Sequence, residues 1–109
     1  MKSRQKSRRQ VEMIQHITLI YFKDGTDSER KQAVLEAFQQ LPGLIPEVKA
    51  FRVGLDLELL EGNAGLAVVA EFASREDFLT YSTHAAHAEV IFPVCGEVMA
   101  SYATSQFSF

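Results

Sequence analysis

One tyrosine and two histidines follow one another closely in the second half of the chain. Tyr81, His84 and His87 recur at intervals of three residues, which places them along one flank if the segment is a helix. A neutral imidazole can take a proton from an acidic carbon or a phenol, and a nearby tyrosine hydroxyl can hold the oxyanion that develops. The spacing therefore permits acid–base catalysis with His87 as the base and Tyr81 as the orienting acid.

The residues alone favour a structural role for the histidines. His84 and His87 can cap and pack the end of a helix, and polar residues with perturbed surroundings are often structural. His16 shares one face of a predicted strand with apolar residues, and a lone histidine on an apolar face is more often a hydrogen-bonded core residue than a ligand. Both interpretations stay open, so Tyr81 and all three histidines are candidate ligand-binding residues.

Motifs for metal or cofactor binding do not occur in the sequence. His84 and His87 are three residues apart, whereas the zinc-binding helix of metalloproteases needs a spacing of four. The sequence has no glycine-rich phosphate loop, serine elbow or cysteine–histidine pair. Cys95 is the single cysteine, which excludes an internal disulfide and fits a reducing compartment. We expect no metal, no cofactor and a cytoplasmic location.

Four segments have the composition of β-strands. The first is rich in β-branched and aromatic residues and ends at Lys23-Asp24-Gly25, a typical turn sequence. The second alternates between two faces, and the third is a nearly continuous apolar run that is typical of a buried central strand. We predict strands at residues 14–22, 48–57, 66–72 and 98–109.

Capping signals indicate where two helices begin. Thr26 followed by Glu29 is a capping-box pattern, and Ser74 begins a similar pattern later in the chain. The first helix is expected to end at Pro42, and the second to end or kink at Pro93, because proline cannot continue the hydrogen-bond ladder. The second helix is predicted to be continuous and to carry one apolar stripe. The stripe is formed by Phe78, Tyr81, Ala85, Ala88 and Phe92.

The order strand, helix, strand, strand, helix, strand predicts a ferredoxin-like α+β fold. Two split β-α-β units give an antiparallel sheet with both helices on one face. The other face is then uncovered, and an uncovered apolar face usually meets a partner. We predict a homodimer in which two sheets pack face to face into an α/β barrel. The residues expected on the uncovered face are Phe22, Val53 or Phe51, Tyr102 and Phe107.

Charge is distributed unevenly along the chain. Residues 1–12 hold five of the eleven Lys and Arg residues but only one acid, and the remaining 97 residues carry six basic and thirteen acidic side chains. An acidic body repels phosphate backbones, so we expect no nucleic-acid partner. No apolar run is long enough to span a bilayer, so we expect no membrane association. We interpret residues 1–12 as a disordered basic extension and residues 13–109 as one domain.

Several stretches of the sequence resemble the stress-responsive A/B barrel domain, a family within the dimeric α/β barrel superfamily. The stretches are HITLIYFKDGT at residues 16–26, LPGLIPEVKAFRVGLDL at 41–57, AVVAEFASREDFLTY at 67–81 and HAAH at 84–87. The last is the most specific, because a tyrosine followed by a histidine-proline-alanine-histidine run is characteristic of the family. Ala85 replaces the usual proline, a change expected to let the helix run straighter.

The resemblance implies a homodimer with a cavity between the sheet and the helices of each subunit. Family members include uncharacterised stress-induced proteins, a stable structural oligomer and plant polyketide cyclases that use the tyrosine and a histidine of the helix motif. The resemblance does not decide whether the protein is an enzyme, and we expect a stress-linked module with a small apolar pocket that is non-enzymatic or of uncharacterised activity. The alternative is a cofactor-free cyclase, isomerase or monooxygenase acting on an aromatic or polyketide-like molecule, with Tyr81 and His87 as catalytic residues.

Overall fold

The computed structural model of the protein describes residues 12–109. The predicted disordered extension therefore lies outside the described residues except for Glu12. None of the described helices is long and apolar enough to cross a membrane. The elements, in chain order, are β1 (Ile14–Phe22), α1 (Ser28–Gln39), α2 (Leu41–Leu44), β2 (Val48–Leu55), β3 (Leu66–Phe72), α3 (Arg75–Ser82), a π-helical turn (His87–Ile91), α4 (Phe92–Cys95) and β4 (Met99–Ser108).

The four strands form one antiparallel sheet in the order β2-β3-β1-β4. This is the predicted ferredoxin-like arrangement, in which β1 and β3 are central. His16 on β1 lies opposite Ala70 on β3 and Gln106 on β4. Because opposed residues of an antiparallel pair share a face, His16 and Gln106 point to the same side of the sheet.

The core lies between one face of this sheet and the helices. Alternate residues of β3, from Leu66 to Phe72, are buried, as the period of a strand requires. They belong to the same buried cluster as Val34 and Phe38 of α1 and Tyr81 of α3. All the helical cover is therefore on one side, which confirms the predicted fold class.

The first predicted helix differs from the structure at both ends. Asp27, not Thr26, is the N-cap of α1, since its side chain accepts a hydrogen bond from the Arg30 amide at 2.8 Å. The Thr26 hydroxyl instead donates to the Lys23 carbonyl at 2.7 Å. The helix ends at Gln39, and Pro42 lies in the first turn of the separate helix α2, where its missing N–H costs no hydrogen bond.

The second predicted helix begins as expected but is broken. The Asp77 amide donates to the Ser74 side chain at 3.1 Å, which caps α3. After α3, the Thr83 hydroxyl donates to the Leu79 carbonyl at 2.9 Å, and His84 Nδ1 accepts from the Ala86 amide at 3.0 Å. Side chains that bond to nearby backbone groups compete with the helical ladder. The break therefore occurs even though Ala85 stands where proline is usual.

The predicted continuous stripe was wrong beyond this break. Phe92 is 67% exposed instead of facing the core. Between α3 and the end of α4 the buried positions are Ala86, Ile91 and Cys95, because the π-helical turn changes which residues face inward.

The assignment of residues to the uncovered sheet face was also largely wrong. Phe22, Phe51 and Val53 pack against the core. Val53, for example, lies opposite the fully buried Val68. Tyr102 lies opposite the buried Ile20, so it also points to the helix side. Only Phe107 was placed correctly, and the side chains that share its face include Ile17, Leu19, Val69 and Ala103.

Candidate functional site

A cavity of about 410 Å³ lies between the sheet and the helices. Its apolar walls come from α1, α3, the π-helical turn, α4 and the helix-facing residues of β1 and β4. Mostly apolar cavities with a few converging polar groups are typical of small-molecule sites. The polar or titratable side chains that line it are His16, Thr18, Tyr81, Ser82, His87, Cys95, Tyr102, Thr104 and Gln106.

Tyr81 is fixed by its position on the inner face of α3. The residue is only 3% exposed, and its ring lies 4.9 Å from that of Phe72 and 4.6 Å from that of His87 between centroids. Burial raises the pKa of Tyr81 to about 12, because the phenolate is poorly solvated there. The phenol is therefore protonated at neutral pH and can donate a hydrogen bond.

His87 is the first residue of the π-helical turn, and its ring stands edge-on to Tyr81 with an interplanar angle of 88°. Burial lowers the pKa of His87, and the nearby His84 lowers it further, whereas the His84 backbone carbonyl acts in the opposite direction. The imidazole is therefore neutral at pH 7. Its buried Nδ1 has no hydrogen-bond partner within residues 12–109. An unpartnered buried polar atom is costly.

His16 is buried on β1 with both ring nitrogens engaged. Nε2 lies 3.0 Å from the Thr18 hydroxyl, and Nδ1 lies 3.0 Å from the amide nitrogen of Gln106. Desolvation lowers the pKa of His16 from 6.5 to about 4, with a smaller contribution from His87. His16 is consequently a neutral, hydrogen-bonded residue of the cavity wall.

The cavity brings together three of the four residues that the sequence singled out. His16, Tyr81 and His87 all line it. His84 is not among the lining residues, and its Nδ1 caps the chain after the helix break by accepting from the Ala86 amide. This geometry matches the structural alternative for His84.

The polar residues of β4 were missed from the sequence. Thr104 and Gln106 lie opposite Thr18 and His16 and line the same cavity. Period-two alternation along β4 placed both residues on one face, but the sequence did not show which face the helices cover. Only the register between β1 and β4 assigns them to the site.

A second cavity, of about 730 Å³, lies beside the connection between β2 and β3. Its lining includes Leu19 and Val69 of the uncovered sheet face and Leu57 and Leu59 of the connection. Both leucines of the connection are more than three-quarters exposed. Exposed apolar side chains of the connection thus line this cavity together with residues of the uncovered sheet face.

The fold and the cavity define a ferredoxin-like α+β domain with a small-molecule-sized pocket under its helices. The chain belongs to the stress responsive A/B barrel domain family, whose sequence model matches residues 14–108. This result confirms the family assigned from the sequence motifs.

Individual relatives agree with that assignment. The chain is 32% identical over 78 residues to the stress-response A/B barrel domain-containing protein HS1 of Arabidopsis thaliana, covering 70% of this chain and 72% of the relative. A dimeric ferredoxin-like protein of unknown function from Thermobifida fusca is similar in structure, with a TM-score of 0.80, 31% identity and coverage of 92% and 93%. A dimeric protein of unknown function from Bacteroides fragilis has a TM-score of 0.78, 27% identity and coverage of 89% and 96%.

Proposed function

We propose that the protein is a homodimeric, stress-linked module that binds a small apolar or aromatic molecule in the cavity of each subunit. The observation that carries this proposal is a mostly apolar cavity of about 410 Å³ lined by Tyr81 and His87. A ligand with one polar group would bury its apolar part against the helices and hydrogen-bond to the histidine or to Tyr81. The role does not require turnover.

The dimer is supported by relatives and by the surface of the sheet. Two structurally similar proteins are described as dimeric. The uncovered face of this sheet carries Ile17, Leu19 and Phe107, and a second copy packed on it would remove these side chains from water. The cavity lies on the opposite, helix-facing side of each sheet, so dimerisation leaves both cavities available. The cytoplasmic location stays a prediction.

Ligand binding can be tested directly with 1-naphthol, an aromatic probe with one hydroxyl. Isothermal titration calorimetry and NMR titration of the wild-type protein should show saturable binding, with chemical-shift changes at residues of α3 and β4 that line the cavity. Thr80→Ala, at an exposed position of α3 outside the lining, is a matched control and should bind normally. Shift changes confined to the uncovered sheet face would contradict the proposed pocket.

Catalysis is the second candidate, favoured by the contact between Tyr81 and His87. The neutral His87 imidazole could take a proton from an acidic carbon, while the protonated Tyr81 hydroxyl stabilises the enolate oxygen. Such a pair would suit a cofactor-free cyclase, isomerase or monooxygenase acting on a polyketide-like or aromatic substrate. Deuterium exchange into the α-carbon of bound 2-tetralone, lost in His87→Ala, would support this candidate. Binding without exchange would favour the non-enzymatic module.

A further inference from the structure

The hydrogen bonds of His16 form a chain that leads into the cavity. Gln106 Nε2 lies 3.0 Å from His16 Nδ1, and the Thr18 hydroxyl lies 3.0 Å from His16 Nε2. The imidazole also packs against the rings of Phe78 and Tyr81, at centroid distances of 4.8 Å and 5.8 Å. This packing fixes the ring plane, and the two hydrogen bonds fix which edge of the ring faces each partner.

The donors and acceptors along this chain have one consistent direction. The amide nitrogen of Gln106 can only donate, so His16 Nδ1 must accept. In the neutral ring Nε2 then carries the proton and donates to the Thr18 hydroxyl oxygen. The hydroxyl proton of Thr18 is left for another acceptor, and no second partner of this hydroxyl occurs among residues 12–109. Because Thr18 lines the cavity, that acceptor can come from a ligand.

We infer that Gln106 is a specificity-determining residue, which acts through His16 to make Thr18 a hydrogen-bond donor toward a carbonyl oxygen of the bound ligand. Gln106 is thus a positioning residue for Thr18. The ligand class that fits is an apolar or aromatic ketone or related carbonyl compound. This inference rests on the proposed function, since a ligand must occupy the cavity, but the direction of the hydrogen bonds can be measured without any ligand.

The first experiment measures the protonated nitrogen of His16. Two-bond proton–nitrogen correlation spectra of protein labelled with ¹⁵N at histidine distinguish a protonated ring nitrogen from one with a free lone pair. For the wild-type protein at pH 8 we expect the proton of His16 on Nε2 and the lone pair on Nδ1. A proton on Nδ1 would overturn the inference, because Gln106 would then accept and Thr18 would donate to His16.

The second experiment uses Gln106→Glu to reverse the direction of the hydrogen bonds that link residue 106, His16 and Thr18. An ionised carboxylate can only accept, so it requires a proton on His16 Nδ1, and Nε2 must then accept from Thr18. At pH 8 the same spectra should show the proton moved to Nδ1. Gln39→Glu adds the same charge at an exposed position in the last turn of α1 and should leave the proton on Nε2. An unmoved proton in Gln106→Glu would contradict the assigned role.

The third experiment tests whether the preference for a carbonyl or a phenol ligand depends on which ring nitrogen of His16 carries the proton. 1-Tetralone and 5,6,7,8-tetrahydro-1-naphthol share one carbon skeleton, but the first presents a carbonyl and the second a phenol. Calorimetry should show that Gln106→Glu shifts the ratio of their dissociation constants toward the phenol by roughly 2- to 12-fold, the range for one neutral hydrogen bond. Gln39→Glu should keep the wild-type ratio.

The outcomes separate this inference from the proposed function. An unchanged ratio in Gln106→Glu, with the proton moved to Nδ1, would overturn the ligand-specificity role. If neither compound binds the wild-type protein while the proton lies on Nε2, the proposed ligand-binding function fails and the direction of the hydrogen-bond chain stands.

Discussion

Acidification should destabilise the protein through His16. The pKa of this histidine is lowered from 6.5 to about 4 in the folded chain, so between these pH values the unfolded chain binds a proton that the folded chain does not. Stability therefore rises with pH in this window and is lost as the pH falls through it. The expected contribution is fully present above pH 6.5 and absent below pH 4.

The size of the effect follows from the two pKa values. The whole pKa difference corresponds to about 3 kcal/mol, and the part lost between pH 7.5 and pH 5 is about 2 kcal/mol. His16 is only 6% exposed, so direct contact of the ring with solvent reduces this free-energy contribution little. It does line the cavity, and water there would reduce the value, so about 2 kcal/mol is an upper limit.

Urea unfolding at pH 7.5 and pH 5 measures this contribution, with protein concentration held constant because a dimer gains stability with concentration. His16→Gln removes the titrating ring and leaves an amide side chain at this position of β1. His87, whose pKa is also lowered, is present in both proteins, so its contribution is common to the two measurements. The free energy of unfolding of the wild type should fall by up to about 2 kcal/mol more than that of His16→Gln. Equal losses in the two proteins would refute the assignment of a buried neutral imidazole at this position.

Three further sets of substitutions test the site, the sheet face and the helix break. Tyr81→Phe and His87→Ala should each weaken 1-naphthol binding in calorimetry while keeping stability within about 1 kcal/mol of wild type; unfolding of both variants would instead indicate a structural role. Leu19→Asp should give a folded monomer in sedimentation, because it places a charge on the uncovered sheet face, whereas Leu79→Asp, at an exposed position of α3, should remain dimeric. His84→Ala should lower the free energy of unfolding by about 1 kcal/mol through loss of the cap on the Ala86 amide, and His84→Asn, which keeps an acceptor, should recover most of it in denaturant titrations.

Local sequence signals were sufficient to predict an element and its bounds where the residues at its own two ends determine where it begins and ends. Residues 14–22 and 66–72 were predicted as strands and are strands with those bounds, because β-branched and aromatic runs are bounded there by turn or capping residues. The Ser74 cap was predicted for the same reason. The order of elements then left few topologies, and the ferredoxin-like sheet followed.

The remaining differences come from interactions that a local pattern does not contain. The helix break depends on Thr83 and His84 bonding to nearby backbone groups, and both residues also fit a continuous helix. The face of Val53 depends on its pairing with Val68, and alternation gives two equivalent phases until that pairing is known. Of the residues that line the cavity, the sequence singled out Tyr81 and His87 on the helical side and His16 on β1. The β4 half of the site required the register with β1.

The position of β1 in the sheet affects how the chain can fold during synthesis. Among the strands of residues 12–109, β1 is made first, yet it lies between β3 and β4, and β4 follows it by more than seventy residues. Until β4 leaves the ribosome, the hydrogen-bonding edge of β1 that will receive it is open, and an open edge can pair with another nascent chain. Long-range pairing of this kind is slow. A chaperone that covers this edge should therefore raise the yield of folded protein more than one that acts only on the completed chain.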